Sequence, residues 1–196
     1  MGKIQALKNG SRKDLIVKNA AALFRKKGFA ASSMRELAIT MGIEAPSLYN
    51  HIGSKNELLQ AVCFNVANRF NDHLDTTLAS AATIIQKLDN LIRFHIRMML
   101  DEFDEVIVAN HEWKQLEEPL LTNFLSQRKK YENRFVMLIR EGINEGQFKN
   151  IHPHVATLTI LSAVRGLEFW QRHKKELSIE ELENNMVQHL LKGLIK

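Results

Sequence analysis

Apolar residues along this chain recur at intervals of three and four and never alternate for long, so the pattern predicts an all-helical protein. Ile16, Ala20, Leu23 and Phe24 form a first stripe, with Ser11 as its cap and Lys26-Lys27-Gly28 supplying a basic last turn and a glycine stop. Ser33-Met-Arg-Glu36 has the spacing of a capping box, in which the serine oxygen accepts from the third helical amide and the glutamate reaches back to the cap. A short second helix carries Met34, Leu37, Ala38 and Met41 on one face, and Gly42 ends it because a left-handed residue costs glycine nothing. About three residues later a third helix of about seven residues tolerates Pro46 in its first turn and turns Leu48 and Ile52 inward.

Ser54-Lys-Asn-Glu57 predicts a second capping box, opening a long helix in which Leu58, Val62, Val66, Phe70 and Leu74 recur every four residues. Further amphipathic stretches run roughly from Ser80 to Glu102, Phe103 to Leu116, Pro119 to Glu145, Pro153 to His173 and Ile179 to Leu194, and Ser178-Ile-Glu-Glu181 caps the last. From Lys55 to Phe148 the only Pro and Gly are Pro119, Gly142 and Gly146, so no flexible linker separates the first part of the chain from the rest.

Charge divides the chain where the helix pattern does. Ten basic residues and three acidic ones lie at or before Lys55, a surplus of seven positive charges, whereas the remainder carries a net of two negative charges. A basic head on a near-neutral body is the footprint of a module that binds phosphates by displacing counterions. Two short helices joined by a glycine-containing turn, with a longer helix before them, form a helix-turn-helix. Leu37, Ala38, Ile43 and Leu48 set the angle between the two, which leaves Glu44, Ala45, Ser47, Tyr49, Asn50 and His51 outside. Ser47 and Asn50 suit base edges, Ala45 a thymine methyl, and Tyr49, His51 and Lys55 phosphate oxygens. The Ser33 hydroxyl and adjacent amides offer another phosphate site, and Arg35 and Leu48 complete the candidate DNA-binding set.

The stretch from Phe29 to Leu59 resembles the DNA-binding signature of the TetR family of bacterial transcriptional regulators. The resemblance lies in the hydroxyl pair Ser32/Ser33, then Leu37/Ala38, Gly42/Ile43, Leu48/Tyr49/His51 and Ser54/Lys55/Leu58, within a signature of roughly residues 11 to 60. Serines replace the usual threonines, and Glu44 stands where a small hydroxyl residue is common, which bears on the operator sequence rather than on DNA binding. The resemblance implies a three-helix DNA-binding domain over 1–55 and a helical effector-binding and dimerisation domain over 56–196. It also implies a homodimer through the last two helices, with Leu182, Met186, Leu190 and Leu194 as the stripe and Ser162, Ala163 and Gly166 allowing close approach. Such a dimer sets its recognition helices about 34 Å apart, and a ligand favouring another spacing weakens operator binding; the resemblance favours a repressor.

Eight of the ten Phe residues and both Trp residues follow Cys63, and Phe94, Met98, Trp113, Phe124, Tyr131, Phe135, Phe169 and Trp170 are the expected lining of an effector pocket. His111-Glu-Trp113, Arg128-Lys-Lys-Tyr131-Glu with Phe135, and Leu167-Glu-Phe-Trp170 followed by Leu177-Ser-Ile-Glu-Glu are similar to the acyl-coenzyme A-responsive branch of the family. That similarity implies a small hydrophobic effector such as an acyl-CoA ester, with Arg128, Lys129 or Arg165 meeting its phosphates.

The histidines have no metal-ligand spacing, and no nucleophile elbow, phosphate-cradling glycine loop or dinucleotide fingerprint is present, so neither metal, cofactor nor enzymatic activity is expected. The lone Cys63 reads as buried packing. With no signal core and no apolar run near 18 residues, the expected location is the cytoplasm, with no membrane contact. The alternative to a regulator is a helical protein-interaction adaptor without DNA binding, which the concentration of positive charge in a helix-turn-helix does not explain.

Overall fold

The three predicted N-terminal helices appear in a computed structural model, which describes residues 12–170 and 177–196. Helix α1 spans Arg12–Lys27, α2 Met34–Met41 and α3 Ala45–Tyr49. The proposed cap of α1, Ser11, lies outside the described residues. Both halves of the Ser33/Glu36 capping box form, and Gly42 closes α2 at φ 65°, where a side chain would be strained. Helix α3 has five residues rather than seven, its pattern ending in a turn at Asn50 and His51.

Helix α4 (Lys55–Ala79) is 25 residues long, about 37 Å at 1.5 Å per residue. Its cap is half of the expected box: Ser54 accepts from the Glu57 amide, but the Glu57 carboxylate takes the Gly53 amide at 2.7 Å instead of that of Ser54. The body follows as α5 (Ile84–Asp101), α6 (Phe103–His111), a 3-10 turn at Trp113–Gln115, α7 (Leu120–Asn144), α8 (Pro153–Arg165), α9 (Leu167–Trp170) and α10 (Ile179–Lys192). Thr83 and Gln86 form a capping box for α5 that the sequence pattern did not single out, and Ser178 and Glu181 form the expected one for α10. The stretch beginning at Pro153 is interrupted at Gly166, and its end beyond Trp170 lies outside the described residues.

Helix α4 packs against α1, α5, α6 and α7, while α1 also packs against α2 and α6, so one apolar cluster runs from Ile16 to Leu194. The head therefore has no core independent of the body. Gly142 lies where α7 meets the Phe148 ring: a Cβ there would sit 2.4 Å from two ring carbons. No strand occurs among the described residues, although Phe148 and Ile195 make one isolated bridge that ties the chain end to the α7–α8 connection.

Helix α10 lies on α5. Leu182 and Leu194, expected at a dimer face, are buried within the chain, and Met186 and Leu190 pack partly on the core. That correction has a physical cause in Glu183, a buried carboxylate on α10 that accepts from Arg93 and Arg97 of α5 at 3.0 Å each and so fixes which way the helix faces. Exposed apolar residues remain on α8 and α9, Val155, Leu158 and Phe169, and also on α7, Leu125 and Met137, and at the start of α10, Ile179.

Candidate DNA-reading face and effector pocket

Leu37, Ala38 and Leu48 are buried between α2 and α3, and Ile43 is half-buried beside them. This small core sets the outward direction of the rest of α3. Glu44, Tyr49, Asn50 and His51 are exposed, Tyr49 at 53%, and Ala45 and Ser47 are half-buried. Arg35 is exposed on α2. The face thus brings together most of the expected set.

Three of its members stand differently. Leu48 is fully buried at 0% exposure, so it is a core residue and no DNA contact. Lys55 donates to the carbonyls of Phe29 and Ser32 at 2.9 Å and of Ala30 at 3.4 Å, with its ammonium 4.4 Å from the Phe29 ring centroid. An ammonium has three donors, and all three are used in tying the start of α4 to the α1–α2 connection, which corrects its assignment to phosphate. The Ser33 hydroxyl and amide are both engaged with Glu36, leaving the next amides of α2 as the open donors of that helix start.

Much of the positive charge of the head is likewise occupied. Lys18 pairs with Glu102 at 3.7 Å and Arg25 with Asp104, both acids on or beside α6, while Lys13 meets Glu57 at 3.8 Å and Lys27 meets Glu36. The Lys27 bond and the Ser33 contacts hold the Glu36 carboxyl below its ordinary range. These pairs are exposed enough to exchange with phosphate, and each contributes little to stability. The Lys18 and Arg25 pairs nevertheless join α1 to α6 and its flank.

In the body, a cavity of about 140 Å³ opens between α4, α5, α6, α7 and α8. Its floor is apolar, including Val66, Met99, Val106, Phe124, Leu161 and Val164. Its inner wall carries a polar pair, His95 Nε2 bonded to the Tyr131 hydroxyl at 2.7 Å, with Phe70 stacked on the imidazole at 4.5 Å. Burial, with Arg165 and His73 nearby, pushes the His95 pKa down to about 3, so this imidazole is neutral, and burial raises the Tyr131 phenol.

Two arginines and one carboxylate, Glu132, are the charged residues of the lining. Arg128 and Arg165 both line the opening, and neither has a hydrogen bond or ion pair with a described residue; Arg128 lies 5.6 Å from the Phe124 ring centroid. Burial and the second guanidinium lower the Arg128 pKa. Two like charges held together at the mouth of an apolar cavity favour an anion between them. Of the expected lining, Phe124, Arg128 and Tyr131 are in the cavity wall. Phe135 is buried behind Tyr131, Phe94 stands behind Phe70, and Met98 is in the core. Trp113 packs against that core outside the cavity, and Phe169 is 67% exposed with Trp170 beside it, also away from the lining. Phe70, Asn71, His95 and Glu132 were missed, because no spacing within one helix shows which of its faces meets four others.

Cys63 is fully buried and its thiol is pushed up to about 12, chiefly by burial. No helix is long and apolar enough to cross a membrane, among the described residues.

A family model described as "Bacterial regulatory proteins, tetR family" matches residues 16–62, and one described as "Tetracyclin repressor-like, C-terminal domain" matches residues 81–194. The chain is 23% identical over 189 residues to the HTH-type transcriptional repressor KstR2 of Mycolicibacterium smegmatis, covering 94% of this chain and 91% of that protein. Its fold is similar to that of the ketosteroid transcriptional regulator KstR2 of Mycobacterium tuberculosis, with a TM-score of 0.88 at 21% identity over 96% of this chain and 97% of that one. It is also similar to AibR in complex with isovaleryl coenzyme A and operator DNA, with a TM-score of 0.80 at 24% identity over 92% and 98% of the two chains.

Proposed function

The chain belongs to the TetR family of bacterial regulatory proteins, and from that premise we propose that it is a homodimeric repressor released from its operator by an acyl-CoA ester. Proteins of this family are regulators, not enzymes, and the matched relative is named a transcriptional repressor. Residues 1–55 form the DNA-reading unit, and residues 56–196 hold the effector and the dimer contact.

Asn50 and Ser47 read base edges, Ala45 and Glu44 tune the choice of base, and Tyr49, His51 and Arg35 meet the backbone. The exposed Val155, Leu158 and Phe169 of α8 and α9, with Ile179 at the start of α10, are the apolar part of the dimer face, in place of the stripe of Leu182, Met186, Leu190 and Leu194. Similarity to a fold that holds isovaleryl coenzyme A supports the effector class. The observation that carries it is the pair of guanidiniums, neither bonded to a carboxylate among the described residues, over an apolar floor, a site for a ligand anionic at one end and apolar at the other.

Transmission follows from shared walls. Val106 and Ala109 of α6 line the cavity, and the same helix and its N-terminal flank pair with α1 through Asp104–Arg25 and Glu102–Lys18. A cleft of about 430 Å³ between α1, α4 and the start of α6 leaves room for that contact to shift. An effector that displaces α6 thereby moves the support of the reading helices and changes their spacing in the dimer.

Duplex titration at two salt concentrations tests the DNA half. Affinity should fall steeply with salt, and Tyr49→Ala should weaken binding to all duplexes while Asn50→Ala should also relax sequence preference by about 1–3 kcal/mol. Salt-independent binding, or wild-type affinity in both variants, would return the chain to the adaptor reading.

A further inference from the structure

We propose that the apolar part of the effector is short, an acyl group of about four to six carbons, in preference to a long alkyl chain or a fused-ring system. This rests on the acyl-CoA reading above and adds a size limit to it.

The limit comes from volume. The cavity holds about 140 Å³. An apolar cavity of roughly 150 Å³ in a protein interior takes one benzene, six carbons, so a sixteen-carbon chain needs roughly 400 Å³. The rim cations then set the direction of the ligand: the phosphates stay with Arg128 and Arg165, and the acyl group alone enters.

The inner wall is built to resist enlargement. Phe70 stacks on His95 at 4.5 Å, meets Phe94 edge-on at 5.6 Å and meets Tyr131 at 6.0 Å. Phe94 is itself stacked on His73 at 3.9 Å, and Phe135, fully buried, backs both His95 and Tyr131. The His95–Tyr131 hydrogen bond cross-links α5 and α7 at the same level. Rings stacked on one another behind the cavity have few alternative rotamers, so extra ligand atoms strain the whole cluster. Met99 is the unbranched apolar side chain in the lining, and it supplies the tolerance of a carbon or two. Because His95 and Tyr131 satisfy each other, an apolar acyl terminus can lie against that pair without breaking a hydrogen bond.

Calorimetric titration of the full chain with butyryl-, isovaleryl-, hexanoyl- and decanoyl-CoA tests the limit. Affinity should rise about fourfold per added methylene up to hexanoyl and then drop at least about tenfold at decanoyl. Decanoyl-CoA binding as tightly as hexanoyl-CoA overturns the size limit and leaves the acyl-CoA reading standing; absence of binding by every ester overturns that reading and the limit with it. Phe70→Ala, which opens the wall, should narrow the hexanoyl-to-decanoyl gap to about threefold or less, and an unchanged gap contradicts the role given to the wall. Where that variant does not fold, the wild-type series decides alone.

Discussion

In the head, five of the eight described basic residues at or before Lys55 are already bonded: Lys13, Lys18, Arg25 and Lys27 to carboxylates and Lys55 to three carbonyls. In the body pocket, Arg128 and Arg165 have no such partner among the described residues. Total charge pointed to the head as the anion-binding part of the molecule, yet two cations bonded to no carboxylate among the described residues line one cavity in the near-neutral body. Two of the head's ion pairs join α1 to α6 and its flank, whereas the two arginines of the cavity are bonded to no carboxylate among the described residues. The location of partners, rather than the charge count, separates a cation that binds from one that builds.

The largest effect expected in testing this contrast belongs to the head. Leu48→Ala removes a fully buried side chain that sets the angle between α2 and α3. A loss of about 2–5 kcal/mol in denaturant unfolding is expected, together with loss of operator binding. Wild-type stability would mean that the small core does not fix the reading face.

Next comes Arg128→Ala in the body. Removal of one charge-assisted contact of about 1.5–3 kcal/mol should weaken acyl-CoA binding by about 10- to 150-fold in a fluorescence titration. Unaltered affinity would show that the rim does not hold the phosphates.

A third effect follows from the half-buried His95 imidazole. The folded protein keeps His95 neutral down to pH about 3, whereas the unfolded chain takes up this proton near its ordinary pKa of 6.5. The folded pKa is depressed, so stability from this group is full above pH 6.5 and is lost progressively as pH falls toward 3. By pH 5 the loss is up to about 2 kcal/mol. Unfolding titrations of wild type and His95→Phe at pH 7 and pH 5 should differ in slope by that amount; parallel behaviour would indicate that His95 is hydrated in the native state.

The smallest effect is at the junction. Glu102 lies 3.7 Å from Lys18 and 3.0 Å from Arg69, pairs that are exposed on the basic side. Glu102→Gln should change stability by about 1 kcal/mol or less, while reducing the ability of bound effector to lower operator affinity. Full coupling in this variant would assign transmission to the apolar contacts of α1 with α6 instead.

How much of this could be read in the sequence depended on how local each signal was. Ser33 with Glu36, Gly42 at φ 65° and Pro46 in the first turn of α3 each act within a few residues, so the reading unit was legible down to its caps. The cavity was not, because its walls come from five helices and the faces that converge are settled by packing. Phe124, Arg128 and Tyr131 share one face of α7 and were found together, whereas Phe135, next on that face, lies behind the wall. Likewise Leu182, Met186, Leu190 and Leu194 had the right period for an interface, but periodicity cannot reveal that Glu183 is held by Arg93 and Arg97, 90 and 86 residues away. The half-formed box at Ser54 is a subtler case, since Glu57 found the Gly53 amide one residue before the expected donor.

The central claim is that one ligand, bound between α4 and α8, controls a surface at the other end of the molecule. Fluorescence anisotropy of a labelled duplex, selected from genomic DNA by the protein itself and titrated with and without saturating isovaleryl-CoA, tests it most directly. Operator affinity should fall by about 5- to 150-fold when the ester is bound. Identical affinity with the ester demonstrably in the pocket would contradict the account.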